Sequence, residues 1–380
     1  MVKRRFWLDR IEKLWQARPI LWLRGVRRAG KTSLAQSLDG VEYFDCELPR
    51  VRRAMEDPEA FLKGVQGKRI VLDEVHRLPN PSELLKIAAD HFPGTQVLAT
   101  GSSTLGASSR FRDTLAGRKS DLWLTPMIEA DLEDFDGGDL NRRLLHGGLP
   151  PFFLSPEPPE RDFQEWMDAY WAKDIQELFR LEKRGSFQKF VELLTAQSGG
   201  IFEATKFAAP CEVARQTIMN YLGVLEATSV ALVLRPFSTR LSNEIVAAPK
   251  VYGFDTGFVC AHRGWSELRS DDRGRLWEHY VLNEMSARVP LSNLHYWRDK
   301  QGHEIDFIWQ PRSGPVMAIE CKWSAKDFAP GNFQIFAKSY PNAILVVVAT
   351  DAKPAFTREY SGVKVEFITL DTLIERITSK

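Results

Sequence analysis

The chain has 380 residues, of which 44% are hydrophobic, so it is too long for one compact core and indicates two or three well-packed domains. Its formal net charge of +1 at pH 7 excludes a uniformly basic surface, so any face that binds nucleic acid must be local. No apolar run approaches the roughly eighteen residues of a membrane span and the N-terminus lacks the apolar stretch of a signal peptide, which predicts a cytoplasmic protein without a membrane partner.

The first predicted elements form a phosphate-binding loop. The apolar residues 20–23 predict a buried strand, residues 25–32 read GVRRAGKT, and residues 32–35 continue as a helix. Two glycines let the backbone N–H groups converge on phosphate oxygens, so that Lys31 would reach the β- and γ-phosphates of ATP and Thr32 would bind Mg²⁺. The alternative is a flexible glycine turn. The predicted nucleotide-binding residues of this loop are Gly25, Arg28, Ala29, Gly30, Lys31, Thr32 and Ser33.

A second predicted strand ends in two carboxylates. Its apolar residues 70–72 are followed by Asp73 and Glu74. Ligands of open parallel sheets bind at the C-terminal ends of the strands, where this pair would lie. We expect Asp73 to hold Mg²⁺ through water and Glu74 to orient the water that attacks the γ-phosphate. The alternative is an acidic pair on the surface after a core strand.

A third strand and an arginine-rich segment complete the predicted nucleotide site. Residues 96–100 form the strand, and Ser102 after it is predicted to contact the γ-phosphate, although a serine-rich turn fits the pattern equally. Arg110, Arg112 and Arg118 follow. Arg118 is the candidate arginine finger, acting within the chain or on a neighbouring subunit of a homo-oligomer. For each of the three, a solvated surface arginine is the competing interpretation.

The strand signals stop after residue 125. We predict a parallel α/β domain at residues 1–125 and a helical segment at 126–185, with a Gly- and Pro-rich break inside it. Residues 186–260 then show two helical stripes followed by two strands that can pair as a hairpin, the order of a winged helix. Its second helix would present residues able to contact DNA, although a winged helix can also serve only for packing. These residues are Arg215, Gln216, Thr217 and Asn220.

Residues 261–380 contain a second candidate site. Two predicted strands joined by a short turn carry Asp306, Glu320 and Lys322 in the spacing of the PD-(D/E)XK nuclease motif. In that motif the carboxylates hold Mg²⁺ and the lysine helps to lower the pKa of the attacking water. An upstream helix offers Glu278 as a further carboxylate. The alternatives are cross-strand ion pairs on an exposed sheet, or a nuclease-like core that has lost cleavage and is kept for binding or architecture.

Several blocks in one order resemble a family of prokaryotic ATPases in which an AAA-type domain precedes a C-terminal domain of unknown function. The resemblance covers nearly the whole chain and implies an α/β architecture with an AAA+ core, a helical segment, a winged helix and a restriction-endonuclease-like domain. The blocks that carry it are residues 25–32, 72–79, 100–103, 115–118, 147–150, 250–257 and 304–307.

Three functions follow as hypotheses. The first is an ATP-binding and ATP-hydrolysing AAA+ protein that uses Mg²⁺ and acts on DNA, including branched or broken ends. The second is a Mg²⁺-dependent nuclease regulated by nucleotide. The third is a signalling or scaffold ATPase whose nucleotide state controls a protein partner.

Overall fold

The computed structural model describes residues 2–101, 109–137, 139–179, 181, 183–238 and 248–379. The chain divides into two compact units. The first unit comprises Met1–Leu140, Gly147–Arg184 and Leu222–Val230, and the second comprises Asn141–His146, Gly185–Tyr221 and Ala231–Lys380. These units cut across the predicted segments, because residues 141–146 belong to the second unit and residues 222–230 to the first. The division into four domains stays a prediction.

A parallel sheet forms the centre of the first unit. Its strands pair in the order β2-β3-β4-β1-β5. The three central strands are buried over almost their whole length, because helices cover both faces of a parallel sheet. The strands are β1 (Ile20–Arg24), β2 (Glu42–Asp45), β3 (Arg69–Asp73), β4 (Gln96–Thr100) and β5 (Lys119–Trp123). The three strands predicted from the sequence at residues 20–23, 70–74 and 96–100 are thereby confirmed.

The helices of this part of the chain are short, and several begin at a proline, whose missing N–H would be unpaired there in any case. The first helix packs on the sheet through one apolar face, because Trp7, Ile11 and Trp15 recur at helical spacing and are all buried. The helices are α1 (Arg5–Ala17), α2 (Lys31–Gln36), α3 (Pro49–Ala54), α4 (Pro58–Gly64), α5 (Pro81–His91), α6 (Ser109–Thr114), α7 (Glu129–Asp134), α8 (Leu140–His146), α9 (Pro150–Phe153), α10 (Glu160–Tyr170), a π-helical turn (Trp171–Ile175) and α11 (Gln176–Phe179).

The second unit is built on a mixed sheet with the strand order β13-β14-β12-β11-β10-β9-β7-β8-β6. Its strands are β6 (Gly200–Ile201), β7 (Ala231–Pro236), β8 (Lys250–Gly253), β9 (Leu294–Arg298), β10 (Glu304–Trp309), β11 (Met317–Lys322), β12 (Ile344–Ala349), β13 (Phe356–Tyr360) and β14 (Val363–Ile368). The helices in this part of the chain are α12 (Arg184–Ala196), α13 (Ala204–Ala208), α14 (Arg215–Ala227), α15 (Thr256–Arg263), α16 (Ser270–Ser286), α17 (Gly331–Ser339) and α18 (Leu370–Thr378).

Two predicted strand pairs are present in this sheet. β7 pairs antiparallel with β8, and β10 pairs antiparallel with β11. A parallel contact of β7 with β9, through Arg235 and Pro236, joins the first pair to the remaining strands. The strands predicted for a winged helix and those predicted for a nuclease-like domain thus belong to one sheet, and both fold names remain predictions.

In the part of the chain that the structure describes, no helix is both long enough and apolar enough to cross a bilayer.

Candidate functional site

The loop between β1 and α2 has a backbone that only certain residues permit. Gly30 has φ +95° and Arg28 has φ +63°, both in the left-handed region that glycine adopts most readily. At Gly25 the constraint is space, since a Cβ atom there would lie 2.6 Å from the backbone oxygen of Leu124. The loop therefore lies tightly against the segment that follows β5.

Lys31 begins α2 and points back into this loop. Its Nζ atom donates to the carbonyl oxygens of Gly25, at 2.9 Å, and Val26, at 3.2 Å. Burial lowers the pKa of the Lys31 ammonium, and the charges of Glu74 and Asp174 partly offset this effect. The ammonium is thus held inside the curl of the loop, where a phosphate oxygen could replace a carbonyl as its acceptor.

A buried ion pair that the sequence did not predict contacts the backbone of the loop. Arg4 donates from Nε and Nη2 to the two carboxylate oxygens of Asp131, at 2.8 and 2.6 Å, and from Nη1 to the carbonyl oxygen of Ala29 at 2.9 Å. Trp7 also donates to Asp131, at 3.1 Å. Both charged side chains are almost completely buried. The bond from Arg4 to Ala29 connects this ion pair to the backbone of the loop.

Asp73 ends β3 with its carboxylate fixed by two hydroxyl groups. Tyr43 on β2 donates to one oxygen and Thr100 at the end of β4 donates to the other. Burial and the neighbouring Asp73 carboxylate raise the pKa of Tyr43, so its hydroxyl keeps its proton and remains a donor. The adjacent parallel strands explain this arrangement, because their C-terminal ends meet at one edge of the sheet.

Glu74 follows in a left-handed conformation, with φ +54°. The Oε2 atom of Glu74 lies 3.0 Å from the Nδ1 atom of His76. The backbone N–H of Glu74 donates to the Thr100 hydroxyl at 3.1 Å. Burial alone would raise the pKa of Glu74, but the hydrogen bond from His76 and the charge of Lys31 outweigh burial and lower it. The carboxylate is therefore ionised at neutral pH and can accept a proton.

One cavity of about 560 Å³, a size typical of ligand sites, is lined by Lys31, Glu74 and His76. Helix α10 and the π-helical turn form part of its wall. Trp166 donates to the carbonyl oxygen of Arg27 at 2.9 Å, and Asp174 pairs with the Arg27 guanidinium at 3.2 Å. The other part of the wall is apolar. It includes Val2, Phe135, Pro150, Pro151 and Leu154, of which Val2 and Leu154 are 38% and 56% exposed although hydrophobic.

The remaining predicted residues of the nucleotide site lie as follows. Arg28, Thr32 and Ser33 line the cavity. The Arg28 guanidinium lies 3.9 Å from a carboxylate oxygen of Asp162 and 3.8 Å from one of Glu165. Ser102 lies outside the described residues. The side chains of Arg110 and Arg112 are not described either.

Arg118 lies at the opposite end of the sheet from the phosphate-binding loop. It precedes Lys119, which pairs with Ile20 at the beginning of β1, whereas the loop follows the end of β1. From the level of Arg118 to that of Gly25 there are six residue steps, or about 20 Å along the strand. Arg118 donates instead to Asp90 at the end of α5, at 2.7 and 3.1 Å. The structure thus does not bring Arg118 to the loop of its own chain.

The second unit brings together the four residues of its predicted site. Asp306 on β10 accepts the backbone N–H of Cys321 at 2.8 Å, next to Glu320 and Lys322 on β11. Lys322 donates to Glu320 at 2.6 Å. Glu278 on α16 lies close enough that its charge affects both Asp306 and Glu320.

A lysine that the sequence did not predict lies within this group. The Nζ atom of Lys250 on β8 lies 2.7 Å from Glu304, 2.9 Å from Glu278 and 3.8 Å from Asp306. Its side chain is 3% exposed. Tyr252, two residues further along β8, donates to the same oxygen of Glu278 that Lys250 contacts.

The pKa values of the carboxyl groups in this cluster shift in different directions. Burial, with the charges of Glu278 and Glu320, raises the pKa of Asp306 well above its usual value, and burial also raises the pKa of Glu320. Burial opposes ionisation of Glu278 as well, but Lys250 and Tyr252 outweigh it and lower the pKa of Glu278. Among the described residues, no group of three or more His, Cys, Asp or Glu side chains is arranged to hold a metal ion.

Comparison with protein families agrees with the phosphate-binding loop. Residues 17–131 match the family described as an AAA domain. Residues 137–269 and 273–368 match two families described as domains of unknown function, DUF8612 and DUF4143. The chain therefore carries an AAA-type P-loop ATPase domain, which confirms the resemblance at this level. Its later segments belong to regions for which the families give no activity.

Two curated mycobacterial proteins are similar over most of the chain. They are the uncharacterized proteins Mb2031c of Mycobacterium bovis and Rv2008c of Mycobacterium tuberculosis, each 27% identical over 334 residues, or 85% of this chain and 74% of the relative. Among solved structures, the Walker-type ATPase PABY2304 of Pyrococcus abyssi is 15% identical with a TM-score of 0.45, over 69% of this chain and 96% of that one. The McrB AAA+ hexamer of Thermococcus gammatolerans with bound McrC is 10% identical with a TM-score of 0.23, over 52% of each chain. TM-scores below 0.5 do not establish a shared fold.

Proposed function

We propose that the protein binds and hydrolyses ATP with Mg²⁺ and that this cycle controls its action on DNA. One observation carries the ATPase proposal: Lys31 and Glu74 line one cavity, and both are held by named hydrogen bonds, as is Asp73 next to Glu74. Tyr43, Thr100 and His76 hold the two carboxylates in place, although none of them belongs to the predicted set of site residues.

The residues present suit a bound magnesium ion. Mg²⁺ prefers oxygen ligands and usually keeps several waters, so the ion would bind the Thr32 hydroxyl directly and Asp73 through water, since hydroxyl groups already occupy both Asp73 oxygens. The ion would neutralise charge on the β- and γ-phosphates. Lys31 would exchange its carbonyl acceptors for phosphate oxygens, and ionised Glu74 would accept the proton of the attacking water. His76 would orient Glu74 through its hydrogen bond.

The apolar wall of the same cavity would receive the adenine base. Val2 and Leu154 are the exposed hydrophobic side chains beside the loop, and a bound base would cover them. Burial of apolar surface favours binding by about 25 cal/mol for each Å². The base would thus be held by contact, while the phosphates are held by charge.

Arg118 would complete the site only on a neighbouring subunit. This part of the proposal is supported by the position of Arg118, about 20 Å along the strand from the loop of its own chain, and it implies a homo-oligomer. The bond to Asp90 would hold the guanidinium at the edge of the subunit.

Action on DNA is proposed from the second unit. Helices α12, α13 and α14 followed by the β7–β8 pair have the order of a winged helix, and β6 pairs with β8 in the same way as the first strand of that motif. At the start of α14, Arg215, Gln216 and Asn220 are exposed. Their side chains can contact phosphates or base edges. The proposal includes a cytoplasmic location.

A DNA panel tests this proposal. ATPase rate and binding should be measured with single-stranded, duplex and branched DNA, at low salt and at about 150 mM. We expect at least one DNA to raise the ATPase rate and to bind more weakly as salt increases. Arg215→Ala should reduce the slope of log affinity against log salt by about one. The control Arg53→Ala, an exposed arginine on α3, should leave this slope unchanged.

If no DNA raises the rate and no salt-dependent binding is found, the DNA proposal is wrong. The second candidate function, a switch that acts on a protein partner, is favoured by Met219, a hydrophobic side chain 40% exposed between Gln216 and Asn220. In that case nucleotide should change the mass of the assembly, measured by size-exclusion chromatography with light scattering, in the same samples in which DNA has no effect.

A further inference from the structure

The nuclease motif implies a divalent cation in the second unit, and the residues there can be tested against that implication. Such an ion needs several free carboxylate oxygens at about 2.0–2.1 Å in a near-octahedral arrangement. Asp306, Glu320 and Glu278 are the predicted ligands. Whether their oxygens are free decides whether the ion fits.

Each of the three predicted ligands has one oxygen engaged by a donor of the protein itself. One oxygen of Glu278 accepts from both Tyr252 and Lys250. One oxygen of Asp306 accepts the backbone N–H of Cys321, and one oxygen of Glu320 accepts from Lys322. Each of these bonds would have to change for a metal ion to bind through the same atoms.

Lys250 reaches the cluster from β8, a strand that does not pair with β10. β8 is three places from β10 in the strand order, which would separate the two strands by about 14 Å in a flat sheet. The Lys250 ammonium nevertheless lies 2.7 Å from Glu304 on β10. β7 pairs with β9 only through Arg235 and Pro236, so the contact between Lys250 and Glu304 adds a connection between β8 and β10 where the strand pairing is short.

We propose that Lys250 is the resident cation of this cluster, and that its ammonium takes the place a divalent metal ion would occupy. The ammonium lies between Glu278, Glu304 and Asp306, and its side chain is 3% exposed. A metal ion entering this position would meet the positive charge of the buried Lys250 ammonium. The implied Mg²⁺ therefore does not fit, and the cluster is an ion-pair lock that joins β8, β10 and α16.

This inference is independent of the ATP site. It bears on the hypothesis of a nucleotide-regulated nuclease, because a cluster that holds no metal ion cannot activate water at a phosphodiester in that way. Binding of DNA by this unit is unaffected by the inference.

The test measures Mn²⁺ binding to the full-length protein without nucleotide. Electron paramagnetic resonance detects the free ion and so gives the amount bound. Wild type and Asp306→Asn should bind Mn²⁺ identically, because the cluster contributes no site. Lys250→Met keeps much of the side-chain length without the charge, and it should gain one site at least tenfold tighter than any in wild type. That site should disappear in the double variant Lys250→Met/Asp306→Asn.

Lys322→Met is the matched control, since it removes the other lysine of the cluster. It should gain no site, because Lys250 remains in place. Two results would overturn the inference: Mn²⁺ binding by wild type that Asp306→Asn abolishes, or a folded Lys250→Met variant that gains no site. Should Lys250→Met fail to fold, the comparison of wild type with Asp306→Asn still decides whether the cluster is open to metal.

Discussion

Gly25 imposes the sharpest spatial requirement among the single residues of the phosphate-binding loop. A Cβ atom at this position would lie 2.6 Å from the backbone oxygen of Leu124, and a backbone atom cannot move aside cheaply. Strained packing of this kind costs about 1–3 kcal/mol. The loop is therefore sensitive to the smallest side chain that can be introduced.

Gly25→Ala should lower the free energy of unfolding by about 1–3 kcal/mol, measured by urea denaturation, and should weaken nucleotide binding. Gly64→Ala is the control, because Gly64 ends helix α4 and a Cβ atom added to it would meet no other atom within 4 Å. That substitution should be neutral or stabilise by up to about 1 kcal/mol. Equal effects of the two substitutions would show that the contact with Leu124 is unimportant.

The sequence predicts those residues of the site that belong to a local sequence pattern. Lys31 and Asp73 follow apolar runs in recognisable patterns. Arg4, by contrast, supports the loop through Asp131, a partner 127 positions away, and no local pattern connects them. Lys250 was missed for the same reason, since its partner Glu304 is 54 positions away. Thr100 could have been found, because it ends the strand adjacent to the one that ends in Asp73.

At the scale of elements, strand β5 determines where Arg118 lies relative to the phosphate-binding loop. The strand runs parallel to β1 and begins at Lys119, so Arg118 lies at the edge of the sheet far from the loop of its own chain. The strands β1, β3 and β4 were predicted from their apolar runs, whereas β2 and β5 are too polar to give that pattern and were not predicted. The pairing of β7 with β9 was not, because two residue pairs that are distant in sequence leave no periodic signal.

Arg118→Ala should lower the ATPase rate by about 10³-fold or more if a neighbouring subunit receives this arginine. Asp90→Asn removes the partner of Arg118 and keeps the arginine, so it should retain activity. Mixing Arg118→Ala with the inactive Lys31→Ala should restore part of the rate, since some interfaces then combine an intact loop with an intact arginine. No recovery on mixing, with both Arg118→Ala and Asp90→Asn equally impaired, would mean that the pair is structural.

At the scale of the whole molecule, the chain combines an AAA-type ATPase domain with regions of unknown function. The sequence predicted the class of the first unit because its chemistry depends on short motifs. It predicted some elements of the second unit, such as β10 and β11, yet the role of that unit depends on how distant residues meet, as Lys250 shows. The central claim is therefore that Glu74, at the end of β3, is the base of an ATP-hydrolysing site.

The most direct test compares ATP hydrolysis and ATP binding in wild type and Glu74→Gln. Removing a general base lowers the rate by about 10²–10⁴-fold, so Glu74→Gln should lose at least about 10²-fold in kcat and still bind ATP. The control is Glu59→Gln, which changes an exposed carboxylate on α4 that pairs with Lys63, and should leave kcat unchanged. Hydrolysis by Glu74→Gln at the wild-type rate, or no ATP hydrolysis by wild type, would contradict the account.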